Sequence, residues 1–430
     1  MIKKLLLLLL FSWCCAVYGQ TIKTDVLVIG NGPSAIAAAI QSARSKVKTV
    51  LVMEKIGIRV DEEKLDLEEN LRMPSGIWGE FLNHLKDFYK TTPGFDTTFN
   101  TKPLHFAKNV GDSILKKMAD TVKKLTEEWN STFTSVQKSG DGWEVKILKD
   151  GKAEEIKARI IIDCTETGAI AEKVGAKPAA KITLRQIHTS FNLYRTAIAV
   201  GETWPPLRPE ENIVYNYWYI PLKDIVPTGA ENLLVTQAIL PGGKDANYLP
   251  VELELGQGAG ATAAFCAFFK TTTAHLNVRI IQGELLDFKA DLVPYVDVPA
   301  TDINWRQIQQ ISATGLLGGG SFLMEDRPMI TAEIKPVLTE IYTRAFLWFN
   351  REKPGDKFTI GNTLSFISDY TLTDPAILKT SIQKSWKTQF KFKSDFDLNQ
   401  PITRREFAVL ANKYLNPFAR TVDLNGRLVN

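Results

Sequence analysis

A nucleotide-binding pattern between Asp25 and Glu54 constrains the fold of this chain more than any other feature. The aliphatic run VLVI leads into the glycine-rich turn GNGPSA, and an alanine-rich helical segment and a second apolar run follow. A strand, a glycine turn, a helix and a second strand ending in an acid form the βαβ unit that binds dinucleotides. The sequence therefore predicts an α/β fold of the Rossmann type, in three layers around a parallel sheet.

The turn and the terminal acid have the chemistry that a dinucleotide requires. Gly30 allows a sharp turn, Gly32 lets the backbone approach a pyrophosphate, and the amides that open the helix attract its charge. Ala35 replaces the third glycine of the motif and is small enough for close packing. Glu54 can accept hydrogen bonds from ribose hydroxyls and would repel a 2′-phosphate, which argues against NADP. A glycine turn that binds nothing stays open as the alternative.

Residues 1–19 have the organisation of a secretory signal peptide. A short basic start precedes an apolar run from Leu5, and small residues end the segment. The run is short for a membrane anchor, and Trp13 occupies the place where a lipoprotein signal has glycine or alanine. We expect cleavage before Gln20 and export to the periplasm or the extracellular space.

Composition argues against several other classes. Only Cys164 and Cys266 follow the expected cleavage point, so a disulfide framework is excluded and two buried free thiols are expected. Scattered histidines without CxxC or HExxH spacing predict no metal site. The formal charge of +4, with acids among the basic residues, argues against nucleic-acid binding. No later segment is apolar for long enough to span a membrane.

Periodicity divides the rest of the chain. A helix is predicted over 112–129, followed by three strands, the last of which ends in DCTETG and is expected to border a ligand. Residues 181–240 are β-rich and aromatic, which predicts an inserted antiparallel sheet on the substrate side. Residues 291–430 predict a small helical domain. Its two similar halves, 295–334 and 367–415, each have threonine at the start of a helix.

Four motifs in the chain resemble known families. VLVIGNGPSAIAAA, ARIIIDCTETGAIAEKVGA, ENLLVTQAIL and LGQGAGATAA occur in the order found in secreted bacterial FAD-dependent oxidoreductases, which are related to glutathione-reductase-type flavoproteins. Some members of that family are labelled xanthan lyases. The resemblance covers Asp25 to about Leu286. The C-terminal part resembles a pair of S-layer-homology repeats, most clearly at PITRREF, which begins at Pro401.

The resemblance implies FAD as the cofactor and a division into a signal peptide (1–19), an oxidoreductase domain (20–290, with the insertion 181–240) and helical repeats (291–430). It also implies a set of cofactor contacts. These are Gly30, Gly32, Ser34 and Ala35 at the pyrophosphate, Glu54 at the ribose, Asp163, Thr165 and Gly168 at the flank of the nucleotide, and Gly256, Gly258, Gly260 and Ala261 at the isoalloxazine.

The last group is interpreted as a glycine-rich entry into an apolar helix that begins near Leu255. Unpaired amides at such a helix start would stabilise the negative charge that accumulates on a reduced flavin. Close packing of this helix against a neighbour is the alternative. His105 and His188 are candidate general bases only because histidine titrates near neutral pH, and no catalytic residue is assigned.

The leading functional hypothesis is an exported oxidoreductase that transfers a hydride from a small or sugar-like substrate to FAD. Several departures from the family pattern favour an alternative, a non-catalytic surface or glycan-binding protein on a degenerate flavoprotein scaffold. Ala169 stands where the family has aspartate, and Thr236 and Gln237 stand where it has glycine and arginine. Polysaccharide lyase is a third hypothesis, which rests only on the label that some members of the family carry. Contact of the C-terminal repeats with cell wall or glycan is a further expectation.

Overall fold

The structure is a computed structural model of the chain. It describes residues 21–429 apart from 56, 59–63, 68–72, 93–103, 182–190, 208–213, 242–245, 319 and 321. The expected signal peptide and His188 therefore lie outside the described residues.

The described strands and helices alternate in the first half of the chain, and helices dominate the second half. The strands are β1 Thr21–Ile29, β2 Thr49–Val52, β3 Lys64–Leu67, β4 Leu104–Ala107, β5 Leu125–Glu128, β6 Ser131–Ser139, β7 Gly142–Lys149, β8 Lys152–Asp163, β9 Ala197–Leu207, β10 Val214–Pro221 and β11 Leu233–Val235. The helices are α1 Pro33–Arg44, α2 Gly76–Tyr89, α3 Lys108–Asp120, α4 Ala169–Lys173, α5 Phe191–Thr196, α6 Leu249–Phe268, α7 Val278–Asp287, α8 Trp305–Ser312, α9 Thr331–Ile341, α10 Ala345–Glu352, α11 Ile360–Thr371, α12 Pro375–Ser385 and α13 Arg404–Leu410.

A seven-stranded sheet forms the centre of the first half and confirms the predicted α/β fold. Its order is β5-β2-β1-β8-β7-β6, and β11 pairs with the last residues of β8. The strands β5, β2, β1, β8 and β11 run parallel, whereas β6, β7 and β8 form an antiparallel meander. The three strands predicted from turn signals are this meander. β9 and β10 pair antiparallel in a separate two-stranded sheet, as expected for the insertion.

Two sequence-based assignments were wrong in this region. The helix predicted over 112–129 ends at Asp120, and Leu125–Glu128 forms β5, which pairs in parallel with β2. The run LLV at 233–235, assigned to the inserted sheet, belongs to the central sheet as β11. In both cases, pairing with a distant strand decides the conformation, and local periodicity carries no information about that pairing.

The C-terminal helices are arranged about a pseudo-three-fold axis. The residues before α9, α11 and α13 form a ring of backbone hydrogen bonds, in which Met329 N donates to Ile402 O, Ile402 N to Phe358 O and Phe358 N to Met329 O, each at 2.9 Å. The two similar halves predicted from sequence are therefore too few, because α10 and α11 supply an equivalent third unit. This third unit does not show the Thr-x-x-Glu pattern in the sequence, because Asn362 stands three residues after Thr359. The pair nevertheless forms the same kind of capping box as Thr403 and Glu406.

Buried arginines hold this three-unit body against the first half. Arg195, at the end of α5, is 1% exposed and forms two hydrogen bonds of 2.7 Å with the carboxylate of Glu340 on α9. Its Nε donates to Thr314 O at 3.1 Å. Arg279 on α7 donates to Arg420 O near the C-terminus and stacks on Phe418. The two halves are thus docked through specific polar contacts.

Within the described part of the chain, no helix combines the length and the apolar character needed to cross a bilayer.

Glu340→Gln should weaken this docking. The substitution removes the charge that balances the buried guanidinium of Arg195. We expect the free energy of unfolding to fall by about 1–3 kcal/mol, and not by more, because the side chain of Glu340 is 44% exposed and water screens part of its charge. Urea denaturation at pH 7 would measure the change. The matched control is Glu333→Gln on the same helix, whose partner Arg327 is 44% exposed. That pair should contribute less than about 1 kcal/mol, and equal losses in both variants would contradict the assignment.

Candidate functional site

Four parallel strands of the central sheet end side by side. Ile29, the last residue of β1, lies opposite Val52 of β2 and Asp163 of β8, and Val235 of β11 lies opposite Asp163. The glycine turn, Glu54, the DCTETG turn and Thr236–Gln237 therefore meet at one edge of the sheet. In open α/β sheets, ligands bind at this carboxyl edge, where the direction of the connections changes.

The turn after β1 requires its two glycines. Gly30 has a φ of +148°, and a Cβ there would lie 2.3 Å from the carbonyl oxygen of Cys164. Gly32 is the N-cap of α1, with a φ of +141° and no side chain to cover the helix end. The chain thus turns tightly over the neighbouring strand, and no side chain caps the start of α1, although Gly32 to Ala35 are themselves buried.

The N-terminus of α1 has an uncompensated positive end. Pro33 occupies the first turn and the earliest intrahelical bond is donated by Ile36 N to Gly32 O, so the amides of Ser34 and Ala35 precede the hydrogen-bond ladder. No acidic residue lies in this turn and no side chain caps it. An anionic phosphate group at this position is favoured by both the free amides and the helix dipole.

Glu54 lies at the same edge and is exposed. Its amide donates to Asn31 Oδ1 at 2.8 Å, which fixes the end of β2 against the glycine turn. Asn31 fills the variable position of the motif, so sequence reasoning missed its role. The structure brings the predicted pyrophosphate residues and the predicted ribose carboxylate together.

Asp163 shapes the second turn. Its carboxylate is fully buried and accepts hydrogen bonds from the amides of Thr165, Ile170 and Ala171 at 3.0 Å and from Thr165 Oγ1 at 2.6 Å. Burial raises the pKa of Asp163, and these hydrogen bonds partly offset the shift. Both carboxylate oxygens thus accept hydrogen bonds from the turn itself, and the expected contact of Asp163 with the nucleotide stays a prediction.

Thr165 and Gly168 complete the same turn and lead into α4. The hydroxyl of Thr165 accepts from Ala169 N at 2.7 Å, and Gly168 has the left-handed conformation, with a φ of +73°, at the start of α4. Thr165 is half-buried at the carboxyl edge, whereas Gly168 is buried. Of the three residues predicted at the nucleotide's flank, Thr165 has the exposed surface there.

A chain of buried polar side chains that the sequence did not reveal connects α1 to α6. Ser34 Oγ donates to Gln237 Oε1 at 3.2 Å and lies 3.3 Å from Thr236 Oγ1. Gln237 Nε2 in turn donates to Glu252 Oε1 at 2.9 Å. Thr236 and Gln237, read from sequence as departures from a family pattern, thus position the first turns of both helices.

The prediction that a helix opens at Gly256 was wrong. α6 begins at Leu249, so Gly256, Gly258 and Gly260 lie inside the helix. A Cβ at Gly256 would lie 2.3 Å from Ser34 O, and one at Gly260 would lie 2.5 Å from Ala38 O. These glycines allow α6 to pack closely against α1, and Ala261 is buried in the same helix. The first turn of α6 instead contains Glu252, whose negative charge would compensate the positive end of the helix dipole.

The remaining candidates lie apart or are unreactive. His105 is exposed on β4, which pairs with β3 and not with the central sheet. Cys164 and Cys266 are free and buried, as expected, and burial raises the pKa of each thiol to about 12. The described residues contain no group of three histidines, cysteines or acids that could hold a metal ion.

Comparison with known proteins identifies the nucleotide-binding part. Residues 25–180 match the family model described as FAD dependent oxidoreductase. The matched segment contains the glycine turn, Glu54 and the DCTETG turn, so the match and the geometry indicate FAD as the cofactor of an FAD-dependent enzyme. No curated protein matches the chain significantly.

The solved structures that match the chain are distant in sequence and match it only in part. An anhydrotetracycline hydroxylase from Streptomyces rimosus shares 14% identity, with a TM-score of 0.36 over 62% of this chain and 66% of that one. A flavoprotein/dehydrogenase from Cytophaga hutchinsonii shares 15%, with a TM-score of 0.37 over 61% and 83%. A p-nitrophenol 4-monooxygenase from Pseudomonas putida shares 12%, with a TM-score of 0.34 over 63% and 87%.

Substitution of the α6 glycines tests their packing role. Gly256→Ala and Gly260→Ala should each destabilise the protein by about 1–3 kcal/mol, because the added methyl meets backbone atoms that cannot move aside. Gly283→Ala is the control, since this helical glycine on α7 has no atom within 4 Å of an added Cβ. It should stabilise by about 0.5–1 kcal/mol. Thermal unfolding would compare the three, and a neutral Gly256→Ala would refute close packing.

Proposed function

Because residues 25–180 match the FAD-dependent oxidoreductase family, we propose that this chain is an exported oxidoreductase that transfers a hydride from a small or sugar-like substrate to FAD. One observation supports the proposal above the others. The uncapped N-terminus of α1 and the exposed residue Glu54 lie at one sheet edge, where the backbone amide of Glu54 donates to Asn31 Oδ1 in the glycine turn that opens α1.

The residues at this edge fit the cofactor. The amides of Ser34 and Ala35 would hold the pyrophosphate, the Glu54 carboxylate would accept from the adenosine ribose, and Gly32, which has no side chain, would let a phosphate approach the backbone. When bound, FAD supplies the group that accepts two electrons as a hydride. The protein supplies orientation, and α6, held against α1, limits access of water from that side.

The proposed position of the substrate follows from the surroundings of α6. Gly258 lies on the helix face opposite α1, where an added Cβ would be 2.8 Å from Ile198 O on β9. The inserted sheet of β9 and β10 is thereby held beside the nucleotide-binding core, where the substrate side was expected. We propose that a small organic substrate enters between this sheet and the cofactor.

A second proposal concerns the C-terminal body. Its three equivalent units, joined by the ring of backbone hydrogen bonds, support the expected resemblance to surface-attachment repeats, and we propose cell-wall glycan as their ligand. Its docking through Arg195 is compatible with both roles. The polysaccharide-lyase alternative is not carried forward, because no described residue favours it.

FAD binding provides the direct test. Purified residues 20–430 should retain FAD after desalting, with a flavin absorbance that bleaches on anaerobic reduction. Asn31→Asp keeps the acceptor for Glu54 N but adds a negative charge beside the pyrophosphate, so FAD should bind about tenfold more weakly at low salt. The loss should shrink as ionic strength rises. A folded wild-type protein that retains no flavin would overturn the proposal.

Export is tested separately. Expression of the complete chain in a bacterial host with a secretion pathway should yield protein that starts at Gln20 in the periplasmic or extracellular fraction. N-terminal sequencing would identify the start. Intact Met1 in the cytoplasmic fraction would argue against export while leaving the flavin chemistry untouched.

A further inference from the structure

Two buried acidic residues lie beside Ser75, where α6 meets the segment that leads into the C-terminal helices. Glu254, in the second turn of α6, is 2% exposed, and Asp291, just after α7, is 7% exposed. Burial is the main cause that raises the pKa of Glu254 well above its ordinary value, and the neighbouring charge of Asp291 raises it further. The two acids therefore share one buried site.

Asp291 connects both halves of the protein. Its Oδ1 accepts from Trp305 Nε1 at 2.8 Å and from Gln309 Nε2 at 2.9 Å, both on α8. Its backbone amide donates to Ser75 Oγ at 2.9 Å, at the start of α2. Asp291 thus contacts the first helix of the C-terminal region through its carboxyl group and the nucleotide-binding half through its backbone amide.

In the part of the chain that the structure describes, no cation pairs with Glu254, and neither of its carboxyl oxygens has a hydrogen bond of good geometry, although Ser75 lies nearby. Among the described residues, the cation that acts on the pair is Lys289, and its ammonium lies over the ring of Trp305, 4.8 Å from the centroid. A buried acid in such surroundings is stable only when it is neutral.

Both acids hold their protons to a higher pH than isolated carboxyl groups do. Burial raises the pKa of Asp291 to about 7, while the hydrogen bond from Trp305 and the charge of Lys289 moderate the shift. Burial and the charge of Asp291 raise the pKa of Glu254 well above its ordinary value. Because a charge on one group opposes ionisation of the other, the two acids titrate as a coupled pair.

We infer that Glu254 and Asp291 form a pH-dependent latch: the protonated pair holds α6, the 289–293 segment and α8 together, and loss of its protons to solvent at higher pH weakens the docking of the C-terminal helices.

The direction of the effect follows from linkage. Both acids have a higher pKa in the folded than in the unfolded protein, so the folded state binds more protons. The contribution of Asp291 to stability is therefore greatest at low pH and declines as pH rises from about 4 to about 7. The contribution of Glu254 changes with pH in the same direction.

Neutral isosteres provide the test. Thermal unfolding of the full FAD-saturated chain would be measured from pH 5 to pH 8.5 for wild type, Asp291→Asn and Glu254→Gln. Each variant should unfold at least about 2 °C above wild type at pH 8 and show a smaller difference at pH 5. Because the other titrating groups are common to all proteins, the difference between variant and wild type isolates the latch.

Glu284→Gln is the matched control, since this half-buried carboxylate on α7 accepts from Ser45 Oγ outside the pair. Its difference from wild type should not vary with pH in the same way. Hydrogen exchange, corrected for intrinsic pH dependence, should show less protection of peptides from 289–312 in wild type at pH 8 than at pH 5.5. Unchanged protection, or variants that follow wild type across the range, would overturn the inference. If a variant fails to fold, the exchange measurement decides.

Discussion

The close contact between α6 and α1 is the constraint on which the rest of the first half depends. Gly256 and Gly260 bring the two helices so near that carbonyl oxygens of α1 occupy the space a side chain would need. With α6 fixed there, Gln257 can donate to Gln41 and accept from Ile77 N at the start of α2, both at 2.9 Å. The same helix meets β9 through Gly258. One helix thereby positions the nucleotide turn, α2 and the inserted sheet.

The C-terminal body is organised by a different principle. Its three units are joined by backbone hydrogen bonds, so the ring does not depend on the identity of the side chains at Met329, Phe358 and Ile402. Those side chains are buried and fill the centre. Sequence identity between units can therefore fall without loss of the arrangement, which explains why the middle unit escaped detection while its fold was retained.

The sequence predicted the helices and strands that short-range patterns encode. The βαβ unit and the meander were found because turn residues and apolar alternation specify them over short distances. β5 and β11 were missed because they are strands only through pairing with β2 and β8. At the site, glycines and Glu54 carried a motif, whereas Asn31 and Gln237 act through contacts with residues far along the chain.

The interior of each half and the junction between them differ in chemistry. Apolar residues fill the layers around the central sheet and the centre of the C-terminal body. The junction instead buries Arg195, Arg279, Glu254 and Asp291, and burial lowers the pKa of Arg279 to about 9, with the charge of Arg195 adding to the shift. Buried ionic groups contribute little net stability and depend strongly on partners and on pH. Docking of the halves is therefore the part of the fold that solution conditions can alter while each core stays intact.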